Sequence, residues 1–214
     1  MNLTPRQLQR RERILETVRQ QLSKAGYEGL SMRDVAAASG VSPTTLYNLY
    51  DNKDGLVLAA LDDLLTQLAT SVPEALKGLD GVIARSRAYA QNIVRNPRYA
   101  EAMARMLFNA RPTDPIAKML LHNGISARRQ SLVEMQAIGE MSKDIDLDFF
   151  AQQWAVSSWS AILLWTHGHS PLEEFAESYV RAELHALLPG MTPARARIHG
   201  EDAPRQTARQ TGDG

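Results

Sequence analysis

The sequence predicts an all-α protein, and three observations support that class. Apolar residues recur at helical spacing along most of the chain, as at Ile14, Val18 and Leu22. No segment alternates apolar and polar residues as a half-buried strand does. Capping and breaking residues divide the chain into helix-sized segments. We expect an N-terminal three-helix domain over residues 1–55, joined by a long helix to a helical domain over residues 56–189.

The first helix is predicted to end at Gly26-Tyr27, after a stripe of apolar residues. The segment is basic, because residues 1–30 hold six Lys and Arg side chains against three Glu, a net charge of +3. An exposed basic face can lie over phosphate groups. A solvated amphipathic helix explains the same excess equally well, so both interpretations stay open. The stripe consists of Ile14, Leu15, Val18, Leu22 and Ala25.

Residues 31–50 carry the pattern of a helix-turn-helix. Ser31 can cap the first helix of the pair, and Gly40 can adopt the positive φ that the turn needs. Ser42 can then cap a second helix in which Pro43 holds the first position, where its missing N–H is not needed. Such a unit usually inserts its second helix into the major groove of DNA.

A long exit helix follows, capped by Asp51 or Asn52 and expected to end at Val72-Pro73. One face of this helix is apolar, which is typical of a helix that packs on a core. The residues of that face are Leu56, Val57, Ala60, Leu61, Leu64, Leu65 and Leu68.

A helix, a helix-turn-helix and a long exit helix in this order resemble the TetR family of transcriptional regulators, over about residues 10–65. The matching residues are Ile14-Leu15, Gly26-Tyr27, Ser31-Met32-Arg33-Asp34-Val35-Ala36, Gly40-Val41-Ser42, Thr45-Leu46-Tyr47 and Asn52-Lys53. The resemblance implies a symmetric homodimer on an inverted-repeat operator, with half-sites roughly 34 Å apart. It also implies a small-molecule effector in the second domain that shifts the exit helix and lowers operator affinity.

The N-terminal end of the second helix is expected to read DNA. Ser42, Pro43 and Thr44 should point at base edges, where a hydroxyl can bond a base and an apolar group can touch a thymine methyl. Asn48 could pair bidentately with an adenine, or it could face the phosphates. The full set of predicted DNA-contacting residues is Arg33, Ser42, Pro43, Thr44, Thr45, Tyr47, Asn48 and Lys53.

The remaining roles in this set are implied by the resemblance. It assigns DNA-backbone contacts to Thr45, Tyr47 and Lys53, and a positioning role near the groove to Arg33. Three of these roles have a plainer alternative: Tyr47 packs on the first helix, Lys53 is a solvated charge, and Arg33 pairs with a nearby carboxylate. The chain departs from the usual family pattern at four positions, which leaves the operator sequence open. These are Pro43, Leu49, Tyr50 and Gly55.

Five further helices are predicted in the second domain. Their approximate ranges are 82–95, 98–110, 115–138, 146–167 and 171–188. The last opens with Ser170-Pro171-Leu172-Glu173, the pattern of a capping box with proline at the first helical position. Residues 190–214 have almost no large apolar groups and are expected to form a disordered tail.

The resemblance places the dimer interface on the last two of these helices. The range 146–167 is apolar on most sides, which independently predicts burial all round. Burial within one subunit is the alternative. The predicted interface residues are Trp159, Ile162, Leu163, Trp165, Phe175 and Tyr179.

An effector pocket is predicted among methionines and aromatic residues, which suit an adaptable apolar cavity. For any one of them, a place in the ordinary core is the alternative. The candidates are Tyr89, Met103, Met106, Leu107, Phe108, Met119, Leu120, Trp154 and Trp159. Asn92, Asn109, Arg105, His122, Asn123 and Gln153 could supply polar contacts.

Composition and motifs exclude several classes of protein. The chain has no Cys, which excludes disulfides and thiolate zinc sites, and no Glu precedes any of its five His by three positions, which excludes a paired Glu-x-x-His di-iron site. Phosphate-loop, dinucleotide and protease motifs are missing. We expect no enzyme, cofactor or metal, and a soluble cytoplasmic protein without a membrane span.

Two hypotheses follow for function. The leading one is a dimeric repressor that a small apolar effector releases from a palindromic operator. The alternative is a helical ligand-binding or interaction protein that acts as an activator or through a protein partner.

Overall fold

The computed structural model describes residues 4–111 and 113–193. Within these ranges the backbone forms nine α-helices and one 3-10 turn, with no β-structure beyond an isolated bridge between Met141 and Met191. The helices are α1 (Pro5–Ala25), α2 (Met32–Ser39), α3 (Pro43–Tyr50), α4 (Lys53–Thr70), α5 (Gly78–Arg95), α6 (Pro97–Phe108), α7 (Pro115–Ala137), α8 (Leu147–Thr166) and α9 (Leu172–Leu187). The predicted all-α class is confirmed. None of these helices combines the length and apolar character that crossing a bilayer requires.

The N-terminal unit consists of α1, α2 and α3, and local caps define its turns. At the start of α2, Ser31 Oγ accepts a hydrogen bond from the N–H of Asp34 at 3.4 Å. Gly40 ends α2 with φ of 68°, in the left-handed region that glycine adopts without steric cost. At the start of α3, Ser42 Oγ accepts from the N–H of Thr45 at 3.1 Å. The two helices of the pair therefore begin and end where the sequence predicts.

One apolar core joins this unit to the rest of the chain. Leu46 of α3 is fully buried in it, against residues of α1 and α2. The same core continues through Leu56 and Val57 of α4 and reaches Tyr99 of α6 and Ile116 of α7. The predicted division at residue 55 therefore falls at a helix, α4, that belongs to both domains.

Polar contacts also fasten α4 to α1. Arg19 Nη1 lies 3.2 Å from Asp63 Oδ2, and Arg11 forms a second ion pair with the same carboxylate. Arg19 Nη1 also donates to the carbonyl oxygen of Ala60 at 3.3 Å. Because these side chains are only partly buried, water screens the contacts in part, and they link α4 to α1.

The second domain packs α5 to α9 around two further apolar cores. One core is centred on Leu79, Leu132 and Trp154, and the other on Ile93, Trp165 and Phe175. The C-terminal half of α4 lies against this bundle, where it contributes Leu61 and Leu65 to the wall of a cavity.

Two local predictions in this domain are wrong. The capping box at Ser170 does not form, because α9 has Pro171 as its N-cap, which leaves Ser170 one residue too early to cap the helix. The predicted tail begins too early, since Gly190 accepts a hydrogen bond from the N–H of Ser142 at 2.8 Å and Met191 is buried. Residues 194–214, the remainder of that tail, lie outside the described residues.

Candidate nucleic-acid interface and effector cavity

Helix α3 buries one side and exposes the other. Leu46 and the half-buried Tyr50 hold it on the core. Tyr47 points away from the core with 49% of its surface exposed, which argues against the alternative that it packs on the first helix. The structure leaves Ser42, Pro43, Thr44, Tyr47, Asn48 and Leu49 exposed along this helix. This is the face that a DNA groove could accept.

Two hydroxyls at the start of α3 are already engaged with each other. Ser42 Oγ lies 2.8 Å from Thr45 Oγ1 and also caps the Thr45 N–H. Ser42 therefore has a structural role at the helix start, and Thr45 is half-buried beside it. The neighbouring Thr44 is exposed at this end of α3, and its hydroxyl is not engaged with Ser42 or Thr45. Among these three residues, Thr44 is best placed for a contact with a base.

Lys53 is held in place at the start of α4. Its ammonium lies 4.2 Å from the centroid of the Tyr27 ring, and Nζ donates to the carbonyl oxygen of Glu28 at 3.5 Å. The Tyr27 hydroxyl in turn bonds Asp54, and burial together with that contact raises the pKa of Tyr27. Lys53 therefore contacts Tyr27 and Glu28 and is not a freely solvated charge.

Arg33 stands exposed on α2. The ion pairs found within residues 4–111 and 113–193 do not include a bond from Arg33 to Asp34 or Glu28, the alternative that the sequence left open. The guanidinium therefore remains available to a phosphate near the groove.

Much of the basic charge of α1 serves the fold. Arg11 and Arg19 pair with Asp63, and Arg13 Nε donates to the carbonyl oxygen of Ser39 at 2.9 Å. Arg6 and Lys24 are exposed. Only part of the N-terminal charge excess can therefore face DNA. The sequence alone could not show which basic side chains bind within the protein and which stay exposed.

The second domain contains a partly open cavity of about 470 Å³ between α4, α5, α6, α7, α8 and α9. Six of the nine predicted effector-binding residues line it, together with two of the polar candidates, Asn92 and Asn123. The six are Tyr89, Met103, Leu107, Leu120, Trp154 and Trp159. Met106 packs on the N-terminal core and Phe108 on the core around Phe175, and Met119 is not part of the lining. The size is that of a pocket for a drug-sized molecule.

A buried ion pair lies at one side of this cavity. Arg128 Nη2 of α7 donates to Glu183 Oε1 of α9 at 2.8 Å, and both side chains are largely buried. Ser158 accepts from Arg128 at 2.8 Å and bonds the Glu183 carboxylate, which also receives the hydroxyl of Ser86. Burial alone would lower the pKa of Arg128, but the Glu183 carboxylate outweighs it and the pKa is raised. The guanidinium therefore stays charged.

Two tyrosines extend this polar side. The rings of Tyr89 and Tyr179 lie 5.4 Å apart between centroids, in a tilted arrangement. Burial raises the pKa of both phenols, and the Glu183 carboxylate raises that of Tyr179 further. Both hydroxyls are therefore neutral at physiological pH.

The sequence analysis missed Arg128 and Glu183, although a signal for Glu183 exists. The buried residues of α9 are Phe175, Tyr179, Glu183 and Leu187, at a constant spacing of four residues. A glutamate on such a buried stripe needs a partner, since an unpaired charge there is costly. The partner could not be found in the same way, because Arg128 lies 55 residues away on another helix.

The predicted interface residues divide between the interior and the surface. Trp159 lines the cavity, and four others are buried inside the subunit, which agrees with the alternative of burial within one subunit. The four are Ile162, Trp165, Phe175 and Tyr179. Leu163 alone of the six stands exposed.

Helix α8 also carries a stripe of large apolar side chains on its outer face. Phe149 and Val156 are 58% and 55% exposed, and Leu163 and Leu164 continue the same face. The spacing of seven residues from Phe149 to Val156 to Leu163 keeps them on one side of the helix. We refer to Phe149, Val156, Leu163 and Leu164 as the α8 outer stripe.

Comparisons with known proteins agree with this arrangement. Residues 14–60 match the family model described as bacterial regulatory proteins, tetR family. The HTH-type transcriptional regulatory protein RaaS of Mycobacterium tuberculosis is 25% identical over 191 residues, which are 86% of this chain and 87% of RaaS. The nicotine-responsive transcriptional repressor HdnoR of Paenarthrobacter nicotinovorans is 30% identical over 85 residues, or 40% of this chain and 42% of HdnoR.

Among solved structures, the TetR regulator TylP of Streptomyces fradiae superposes with a TM-score of 0.69 at 20% identity, over 92% of this chain and 99% of TylP. The likeness to TylP establishes the fold over nearly the whole chain.

Proposed function

We propose that this chain is a transcriptional regulator of the TetR family, and that it acts as a homodimeric repressor that an effector releases from an inverted-repeat operator. Its DNA would be bound in the cytoplasm through the exposed face of α3, with Arg33 and Lys53 on flanking phosphates. HdnoR, a nicotine-responsive repressor that resembles part of this chain, supports a regulator whose DNA binding depends on a small molecule.

The α8 outer stripe supports the homodimer. Several large apolar side chains exposed on one side of a helix are typical of protein interfaces. A twofold axis through this face would bring two copies of α8 together and bury the stripe against itself. The proposed interface therefore keeps Leu163 from the predicted set and adds Phe149, Val156 and Leu164.

Effector control is supported by Tyr99 and α4, because both belong to the N-terminal core and also to the wall of the cavity. Tyr99 is buried in the N-terminal core and also lines the cavity. Helix α4 packs Leu56 and Val57 on the same core, while Leu61 and Leu65 line the cavity. A molecule that displaces this wall would change the angle at which α3 is presented. By linkage, operator DNA would weaken effector binding by the same factor.

A DNA-selection experiment tests the regulator. Fragments of the source genome retained by the full-length protein should contain an inverted repeat whose half-sites lie about one helical turn apart. Binding measured by fluorescence anisotropy should weaken steeply with rising salt. Retention of fragments without a common repeat, or an affinity insensitive to salt, would contradict the proposal.

A pair of variants tests the dimer. Val156→Asp places a charge in the α8 outer stripe and should give monomers by sedimentation equilibrium, with operator binding weakened at least tenfold. Ser126→Asp, on the exposed side of α7, is the matched control and should stay dimeric. A Val156→Asp protein that sediments as a dimer would rule out this interface.

A further inference from the structure

The cavity opens to solvent between α4 and α7. Four of its lining residues are exposed, whereas the others are buried or half-buried. The exposed four are Asp62 and Thr66, one turn apart on α4, and Asn123 and Ala127, one turn apart on α7. We refer to Asp62, Thr66, Asn123 and Ala127 as the cavity rim. A molecule inside the cavity therefore reaches water at this rim, where a charged group keeps part of its hydration.

Arg85 belongs to the cavity-facing side of α5. The lining residues of this helix recur at a spacing of three or four, as Arg85, Tyr89 and Asn92 do. Arg85 Nη2 lies 3.5 Å from Ser131 Oγ of α7, to which it donates a long hydrogen bond. Ser131 also lines the cavity and stands one turn after Ala127 of the rim. The guanidinium is therefore next to the α7 side of the opening.

The Arg85 guanidinium has no carboxylate partner within residues 4–111 and 113–193. None of the ion pairs in this part of the chain includes it, and its bond to Ser131 is long. A guanidinium carries five N–H donors, so most of those of Arg85 are left to water or to a bound molecule. Arg128 differs, because its charge is matched by the buried carboxylate of Glu183. Of the two arginines in the lining, Arg85 is therefore the one that can still pair with a ligand.

The charges around the cavity favour an anion over a cation. The Asp62 carboxylate belongs to the exposed rim, where water and salt screen it. Arg85 is half-buried, so its charge is screened less on the cavity side. Arg128 and Glu183 neutralise each other. A charged group that enters from the rim would therefore meet a positive potential near Arg85, while the lining farther inside is mainly apolar.

We propose that the cavity binds an amphipathic acid, with its apolar body inside and its carboxylate at the rim on Arg85. The planar guanidinium fork matches a carboxylate, and the Ser131 hydroxyl beside it can donate a further hydrogen bond. Leu107, Leu120 and Trp159 provide apolar surface for the body. This inference rests on the proposed effector site, and it replaces the purely apolar effector expected from the sequence with a molecule that carries one negative charge.

Three naphthalene derivatives of nearly equal shape test the proposal on the full-length protein. 2-Naphthoate carries the anion, 2-naphthamide is its uncharged isostere, and 2-naphthylmethylammonium carries a cation. Dissociation constants from equilibrium dialysis should rank the anion tightest and the cation weakest, with the anion about fivefold to twentyfold tighter than the amide. Rising salt should weaken binding of the anion and leave that of the amide unchanged.

A pair of variants assigns this preference to Arg85. Arg85→Gln removes the charge and should weaken 2-naphthoate binding about fivefold to twentyfold, while it changes 2-naphthamide binding less than about twofold. Arg87→Gln is the matched control, because Arg87 is exposed on the same helix and does not line the cavity. It should leave the affinities for all three compounds unchanged. The ranking of the compounds on the unmodified protein tests the proposal without any variant.

Four outcomes would overturn the inference. They are amide binding as tight as that of the anion, tightest binding of the cation, no binding of 2-naphthoate, and a loss of 2-naphthoate affinity in Arg85→Gln no larger than in Arg87→Gln. Operator binding of the same protein preparation is measured in parallel without any of the compounds. Intact, salt-dependent operator binding alongside any of these outcomes would reject the acidic ligand and leave the proposed DNA-binding function standing.

Discussion

The N-terminal unit and the cavity domain treat buried polar groups in opposite ways. In α1, α2 and α3, the buried hydroxyl of Ser39 donates to the carbonyl oxygen of Val35 at 2.6 Å, and the other buried residues of these three helices are apolar. In the cavity domain, a buried ion pair and two buried serines bond one another, and three buried polar atoms, one each in Tyr99, Arg128 and Trp154, lack a partner among the described residues. The N-terminal unit therefore buries almost no polar group, whereas the cavity domain buries charged and polar groups whose partners lie on other helices.

Removing one member of the buried ion pair should cause the largest loss of stability. Glu183→Ala leaves the Arg128 guanidinium buried without its carboxylate and should lower the free energy of unfolding by about 3–5 kcal/mol in urea titration. Glu177→Ala, on the exposed side of the same helix, should change it by less than about 0.5 kcal/mol. Similar values for both variants would mean that the pair does not hold α7 to α9.

Removing the ion pairs that Asp63 of α4 forms with α1 should lower stability by a smaller amount. Asp63→Ala releases Arg11 and Arg19 from α4 and should destabilise the protein by about 1–2 kcal/mol, because these side chains are only partly buried. Asp62→Ala, one residue away and exposed, is the matched control for stability. Effector-induced loss of operator affinity should also decrease in Asp63→Ala. An unchanged effector response would show that the ion pairs of Asp63 do not couple effector binding to DNA binding.

The DNA-reading face should respond in two distinguishable ways. Lys53→Gln should weaken binding to every sequence about fivefold and lower the slope of log affinity against log salt by about 1, because one phosphate contact is lost. Thr44→Ala should instead change the preferred sequence and keep the slope. Lys118→Gln, exposed on α7, controls for net charge. A slope that stays constant in Lys53→Gln would remove Lys53 from the interface.

The smallest expected change in stability comes from removing a single hydroxyl, tested once in each region. Tyr27→Phe removes a bonded hydroxyl from the N-terminal unit and should lower stability by about 0.5 kcal/mol. Tyr99→Phe removes an unpartnered hydroxyl and should leave stability unchanged or raise it by up to about 1 kcal/mol. Thermal unfolding of the two variants side by side measures the difference. A loss in Tyr99→Phe as large as that in Tyr27→Phe would show that the Tyr99 hydroxyl is already satisfied.

The sequence indicated the parts of this molecule that depend on near neighbours in the chain. The caps at Ser31 and Ser42, the turn at Gly40 and the buried position of Leu46 follow from residues within a few positions of each other. The all-α class and the place of α3 could therefore be predicted. The predicted cap at Ser170 was wrong by one residue, because Pro171 is the N-cap of α9.

What could not be predicted depends on which side of a helix meets which neighbour. Trp165, Phe175 and Tyr179 look alike in sequence whether they face a second subunit or their own core, because burial has the same apolar pattern in both cases. Only packing showed that they lie inside and that Val156 lies outside.

The sequence by itself determined the helices, their caps and the helix-turn-helix, because each rests on hydrogen bonds and steric limits within a few residues. The tertiary structure decided the cavity and its chemistry. Arg128 and Glu183 are bound to each other across 55 residues of chain, and the orphaned N–H of Trp154 is defined by what surrounds it. Whether a buried polar atom has a hydrogen-bond partner is decided only once distant helices have packed together.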